Sequence, residues 1–296
     1  MRLEDIYKNS TPLTATAFTS KKPVLSFEVF PPRDYSSEKA QLIVEELIKL
    51  SKYDPKLVSV TYGAGGATKS NSLDLTKLIK NKLSIEVMPH LTCQNSSIDF
   101  IESYLCDIKD EGIENVLALR GDKPLHEEFK FDDFRYANEL VSFIKSKTNL
   151  SIAVAGYPEG HSESISLSAD IDNLKRKVDE GAQVIYTQLF FDNEYYYRYV
   201  DLLRKKQIFL PVVPGILPIT SYSQLSRMIA LCNVCLPKNL VKQLEANQDS
   251  TKAIKEIGIE HAILQSTKLV DYGVPGLHFY ILNKSYPMMD ILQNLV

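Results

Sequence analysis

No run of about 18 apolar residues occurs anywhere in the chain, which excludes a single helix built to cross a bilayer. The first stretch, MRLEDIYKNSTPLTATAFTSKKP, lacks the continuous apolar core of a secretory signal. Cysteine is scarce. Cys93, Cys106, Cys232 and Cys235 are the four present, too few for a disulfide scaffold and in keeping with thiols held reduced in the cytoplasm, where the protein is expected. Cys232-Asn-Val-Cys235 has no second ligand pair to complete a zinc site. It also closes an apolar helical pattern before Pro237 instead of opening a helix after a strand, so both cysteines read as packing residues. Charge of one sign is lacking too: 34 basic and 37 acidic residues give a net charge of -3. The basic residues are spread along the chain, which argues against a nucleic-acid partner. Low-complexity tracts, internal repeats and a Gly/Ser linker are all absent. The expectation is one domain over residues 1–296, with residues 1–22 as an N-terminal extension.

What the chain does have is an alternation. LSFEVF (25–30) reads as a strand, Pro31-Pro32 breaks it, and a helical pattern follows from about Ser36, with Glu38 and Lys39 behind that cap. The unit recurs: strands over 56–63, 84–92, 115–121, 151–158, 184–191, 210–217 and 276–282, and helices over roughly 69–82, 96–111, 168–180 and 193–206. A long helical region, 221–272, is expected to break at Pro237 and Gly258, and a closing helix starts from Pro287. Eight apolar, β-branched strands alternating with helices predict a parallel TIM (β/α)8 barrel, with a doubly wound open sheet as the alternative.

Alternate residues of a barrel strand point inward, and active sites of this fold lie at the C-terminal mouth. That count assigns Ser26 and Glu28 to the interior of strand one, Ser59 and Thr61 to strand two, His90 to strand three, Arg120 and Asp122 to strand four, Gln188 to strand six and His278 to strand eight. The serines and Thr61 serve equally well as hydrogen-bonding residues inside the barrel, and His126, His261 and His278 as packed or exposed histidines. Glu86, near the start of its strand, suits a structural role. Arg120 and Asp122, in NVLALRGD, are either paired within the fold or facing a ligand. Glu28 is flanked by Phe27, Phe30 and Pro31 and has no partner on its own strand. A carboxyl group taken out of water holds its proton more firmly, which makes Glu28 the candidate general acid.

Three further groups carry two readings each. Gly63-Ala64-Gly65-Gly66 is a tight turn or a loop that lets backbone N–H groups approach a ligand. Asp170, Asn173, Arg176 and Lys177 are a solvated helix face, or cations for a pyrophosphate beside Asp170 and Asn173 on a ribose. His90, Cys93, Glu28 and Asp122 could be assembled into a metal site serving a hydrolase, although no HxH, HExxH or paired CxxC spacing supports it.

SFEVFPPR, VSVTYGAGG, PHLTC, ALRGD, LKRKVDEGA, TQLFFD, PGILP and HFYILN stand in the order seen in the bacterial type of methylenetetrahydrofolate reductase, which the chain resembles from about Leu25 to Lys284. The resemblance implies FAD bound at the C-terminal ends of the strands. NAD(P)H would reduce the flavin, which then passes hydride to 5,10-methylenetetrahydrofolate, giving 5-methyltetrahydrofolate for methionine synthesis. It makes Glu28 the acid that opens the folate ring and puts Asp122 beside flavin and pterin. Thr61, Tyr62, Gly63, Ala64, His90, Arg120, Gly121, Ala137, Tyr157 and His161 become flavin contacts. Asp170, Asn173, Arg176 and Lys177 would hold the ribityl, phosphate or adenosine parts. Gln188 would meet pterin and nicotinamide in turn, and Glu28 and Thr61 would also touch substrate. Tyr222 stands where the family has a stacking phenylalanine and Lys284 where it has an arginine; tyrosine keeps the stacking face, while lysine keeps the charge without bidentate geometry. Homo-oligomers are usual in the family. The regulatory domain of its eukaryotic members is not expected in 296 residues.

Overall fold

A computed structural model describes residues 1–8, 23–32, 34–62, 69–94, 96–121, 133–232 and 234–295. Eight strands close into a barrel in the order β1 to β8: β1 (Val24–Val29), β2 (Leu57–Val60), β3 (Glu86–Thr92), β4 (Asn115–Leu119), β5 (Ser151–Gly156), β6 (Val184–Leu189), β7 (Val212–Ile216) and β8 (Gly276–Tyr280). All neighbours run parallel, and β1 pairs with β8 to complete the circle. The open-sheet alternative is thereby excluded. Each strand is a short apolar run because both of its faces are covered: Phe27, Val29, Val58 and Val60 pack under the outer helices, while Leu57, Met88, Leu117, Ala153, Val184 and Val213 fill the interior.

The helices start where short polar side chains offer an acceptor. Ser36, Ser97, Ser166 and Ser250 cap α2 (Ser37–Leu50), α4 (Ile98–Asp110), α6 (Leu167–Asp179) and α10 (Thr251–Tyr272), each accepting from a backbone N–H in the first turn. Asp192 does the same for α7 (Asn193–Lys205). The remaining layer comprises α3 (Lys69–Leu83), α5 (Ala137–Lys147), α8 (Tyr222–Cys232), α9 (Lys238–Ala246) and α11 (Met288–Gln293). Among the described residues no helix is long and apolar enough to cross a membrane.

The structure corrects or completes the sequence reading in four places. Helix α5 follows β4, where the alternation implies a helix but assigns it no range. The long region breaks at Pro237 as expected and again before Ser250, but not at Gly258, which lies inside α10. Gly258 is required there by contact: a Cβ would stand 2.0 Å from the carbonyl oxygen of Ile219. Cys235 is exposed, so only Cys232 is partly packed.

The fourth correction concerns the N-terminus. Within the expected extension, α1 (Leu3–Tyr7) inserts Leu3, Ile6 and Tyr7 among the interior side chains at the N-terminal end of the barrel. Each buried side chain of this size contributes about 1.5–3 kcal/mol. Polar contacts fix the insertion: Leu3 N donates to Asn115 Oδ1 at 2.9 Å, Gln183 Nε2 donates to Glu4 Oε1 at 2.9 Å, and the Met1 ammonium meets Glu86 and Glu114 at 2.5 Å each. Glu86 thus has the structural role expected of it. Residues 9–22 lie outside the described residues.

Candidate active site at the barrel mouth

Strand alternation carries Ser26 and Glu28 inward, and the register sets Ser26 beside His278 and Glu28 beside Ser59 and Tyr280. One carboxylate oxygen of Glu28 lies 3.5 Å from Nε2 of His90 and 3.7 Å from Nε2 of His278. Behind it, Ser26 Oγ is 2.9 Å from Nδ1 of His278, and the Tyr186 ring meets the His278 ring edge-on at 4.9 Å. Glu28, without a partner on its own strand, therefore finds two on other strands, His90 on β3 and His278 on β8. His278 belongs to the site instead of merely packing. Ser26, already assigned inward, is its hydrogen-bonding support.

Burial pushes the His90 imidazole down to about 4, against the pull of the Glu28 charge. At neutral pH His90 is uncharged and neighbours Glu28 as a polar group instead of a counter-ion. Its Nε2 has no hydrogen-bond partner among the described residues, and neither does the buried hydroxyl of Thr61. Buried polar atoms normally find partners, so these two valences at the rim are open for a ligand. Tyr280 donates to the Thr187 carbonyl at 2.9 Å, and burial together with the Glu28 charge keeps its phenol protonated. Gly215 makes room for it, since a Cβ there would stand 2.8 Å from the Tyr280 hydroxyl.

The flanking candidates divide. Arg120 continues the outer parity of Val116 and Ala118, whereas Leu117 faces the interior. Inward placement of Arg120 by alternation is thus corrected, and its guanidinium pairs with Glu163 through bonds of 3.0 and 2.6 Å. Gly121 takes φ +96° against Gln94. The Tyr157 and His161 rings meet edge-on at 4.7 Å, Tyr62 packs edge-on to Tyr104, and Ala137 opens α5. On α6 the four polar residues separate. Asp170 is buried and Lys177 turns its ammonium onto the Ala155 carbonyl at 2.7 Å, while Asn173 and Arg176 are exposed. Desolvation pushes the Asp170 carboxyl up and the Lys177 ammonium down to about 8, each opposed by the other's charge. Gln188 shares the inward parity of Val184 and Tyr186, and its side-chain Oε1 accepts from Leu189 N at 2.9 Å.

Tyr222 is the exposed first residue of α8, and Lys284 is exposed beyond β8. Lys284 borders a pocket of about 160 Å³ that Gln224, Tyr280 and Tyr286 also line. Gly63, Ala64 and Asp122 lie outside the described residues, as does His126. Cys93 does not join His90 in a metal set: its thiol rests on the Arg120 carbonyl at 3.5 Å, and burial pushes it up to about 11. Among the described residues no three His, Cys, Asp or Glu side chains are grouped to hold a metal ion. The tyrosines beneath the site, Tyr7 and Tyr186, escaped the sequence reading. Tyr186 has the parity of Gln188, and Leu3, Ile6 and Tyr7 have the i, i+3, i+4 spacing of a buried helix face.

The family model described as "Methylenetetrahydrofolate reductase" matches residues 13–296. Methylenetetrahydrofolate reductase (NADH) 1 of Arabidopsis thaliana is 37% identical across 100% of this chain and 51% of its own length. The 5,10-methylenetetrahydrofolate reductase of Escherichia coli (strain K12) is 37% identical over 88% of this chain and 86% of its own length. The chain spans about half the length of the plant relatives that it matches. A solved structure from Clostridium thermocellum, described as an uncharacterized protein that binds two copies of 5-methyl-5,6,7,8-tetrahydrofolic acid, superposes with a TM-score of 0.67 over 93% of this chain and 94% of its own, at 11% identity. That likeness concerns the fold alone. The match over nearly the whole length, and the barrel that carries its motifs, make this chain a member of the methylenetetrahydrofolate reductase family.

Proposed function

We propose that the protein reduces 5,10-methylenetetrahydrofolate to 5-methyltetrahydrofolate with electrons from NAD(P)H, using FAD bound at the C-terminal mouth of a single catalytic domain, and so supplies methyl groups for methionine synthesis. The observation that carries the reading is Glu28, inside the mouth between His90 and His278, in a chain of this family. The names of the plant relatives, which specify NADH, support that nicotinamide as a donor.

The described residues fit a flavin. Thr61 Oγ1 and His90 Nε2 offer unmet valences to a polar heteroaromatic ring, and the inward ammonium of Lys177, beside Asp170, suits a polyol or phosphate chain. Tyr62, Gly63, Ala64, Arg120, Gly121, Ala137, Tyr157 and His161 would complete its surroundings, with Asn173 and Arg176 toward the exposed end. When bound, FAD supplies hydride transfer, first from nicotinamide and then to folate.

The chain's own residues supply the proton and the orientation. The product keeps its carbon on N5, so the bond from that carbon to N10 must break, and N10 must gain a proton. Glu28 donates it, leaving an N5 iminium ready for hydride. Asp122 would stabilise that cation. Gln188 and Tyr222 would hold pterin or nicotinamide in turn, and Lys284 the carboxylates of the folate tail, with Thr61 near the ring.

Anaerobic reduction of the purified protein by NADH or NADPH, followed by reoxidation with methylenetetrahydrofolate, tests the proposal. Yellow protein bleached by one nicotinamide and recoloured by the folate is expected. A colourless, zinc-loaded preparation that neither step affects would overturn it in favour of the hydrolase.

A further inference from the structure

Beneath Glu28 a line of polar groups continues down the barrel axis to the N-terminal helix. Tyr7, on α1, and Tyr186, on β6, are buried with their hydroxyls 2.8 Å apart. Both phenols have the Ser26 hydroxyl as a hydrogen-bonding neighbour. Ser26 in turn meets Nδ1 of His278, whose Nε2 faces Glu28. Burial pushes Tyr7 up to about 12 and Tyr186 well above the usual phenol range, so both stay neutral and keep a proton to donate.

Two orderings of the protons are open to this line. In one, a phenol donates to Ser26, Ser26 donates to Nδ1, and the imidazole proton sits on Nε2, toward Glu28. In the other, Nδ1–H donates to Ser26, whose own proton then has the Leu277 carbonyl at 3.3 Å as its acceptor, and Nε2 is bare. The first uses the shorter contact of 2.9 Å for the serine proton, and aligned hydrogen bonds in a low-dielectric interior reinforce one another.

We propose that Tyr7 and Tyr186 are positioning residues for the folate step: by donating toward Ser26 they turn its hydroxyl onto Nδ1 of His278 and hold the imidazole with Nε2–H toward Glu28. The proposal rests on Glu28 being the acid of the reaction. Glu28 is faced by His90 from β3 and by His278 and Tyr280 from β8. His278 is faced by Ser26 and Glu28 from β1, by Tyr186 from β6 and by Tyr280 on its own strand.

The test uses Tyr7→Phe, Tyr186→Phe and the double variant in flavin-loaded protein, with two readouts. In rapid mixing, each single variant is expected to slow the folate half-reaction about fivefold to tenfold and to displace its pH profile, while flavin reduction changes by less than about twofold. The double variant should lose more than either single variant, because both phenols neighbour Ser26 and the one left in a single variant can still donate to it. In imidazole 15N spectra, His278 should be the Nε2–H form in the parent and a mixture of tautomers in either variant. Variants that melt earlier but keep the pH profile and the His278 tautomer would reduce Tyr7 and Tyr186 to packing residues and overturn the proposal. Should Tyr7→Phe fail to fold, Tyr186→Phe carries the same expectations. Glu28→Gln separates this inference from the one beneath it. Normal folate turnover in that variant removes the acid assignment, whereas an inactive Glu28→Gln with an unmoved His278 tautomer in Tyr7→Phe removes the positioning role alone.

Discussion

The two ends of the barrel are built from the same strands and are finished in opposite ways. At the N-terminal end α1 closes the interior, and most of its polar groups are matched, Arg2 Nε excepted: Leu3 N with Asn115, Glu4 with Gln183 and Ser151, the Met1 ammonium with two carboxylates. At the C-terminal end the interior residues are polar, and three of them, Ser59, Thr61 and His90, are buried without a hydrogen-bond partner among the described residues. The first arrangement is what stability favours. The second makes sense only if something else supplies the missing partners, and it marks the mouth as the working end.

Substitutions at the two ends should accordingly separate rate from stability. The largest effect is expected at Glu28: Glu28→Gln should slow the folate half-reaction by about 10²–10⁴-fold, the usual contribution of a general acid, with flavin reduction by nicotinamide retained in rapid mixing. At the other end, Leu3→Ala removes a fully buried side chain and should lower the unfolding free energy in urea by about 2–5 kcal/mol without displacing the pH profile of turnover.

Acid provides a third probe. Between the unfolded value of 6.5 and about 4, the unfolded chain binds a proton at residue 90 that the folded chain does not, so stability should fall as pH drops through that window and level off below it. The unfolding free energy from urea titrations should drop correspondingly, by an amount on the order of 3 kcal/mol, and His90→Gln should flatten the curve between those limits. Glu46 contributes in a lower window: against its desolvation, Lys49 and Ser285 hold its carboxyl down to about 2, so its contribution to stability is lost as pH falls from 4.5 toward 2.

The smallest change is expected for Thr61→Val. It should leave stability within about 1 kcal/mol, since no hydrogen bond of the folded chain is lost, yet raise the flavin dissociation constant measured by fluorescence titration. Equal flavin affinity in this variant would show that the open valence at the rim is not a flavin contact.

The barrel was legible because its strands carry a local signature, and the inward parity of Ser26, Glu28, Thr61, His90, Gln188 and His278 followed from it by counting. Counting misleads when the inward set of a strand is chosen wrongly. Arg120 keeps the alternation of β4 but belongs to the outer set with Val116 and Ala118, where it pairs with Glu163, a partner 43 residues away that no local pattern reveals. The helix α1 was hidden for a different reason. Its apolar face holds only three residues, too short a stretch to stand out from a polar N-terminus until the barrel floor that receives it is known. Gly258 suggested a break because a glycine weakens an isolated helix, but here the absence of a side chain admits a neighbouring backbone, a requirement that arises only in three dimensions.

That glycine ties the outside of the wall to its rim. Ile219 belongs to the segment that leads from β7 toward Tyr222, and its carbonyl presses directly on α10 where Gly258 leaves the helix surface bare. One extra carbon at 258 would force the helix and that segment apart, so the place of the segment that carries Tyr222 is governed partly by a residue on α10.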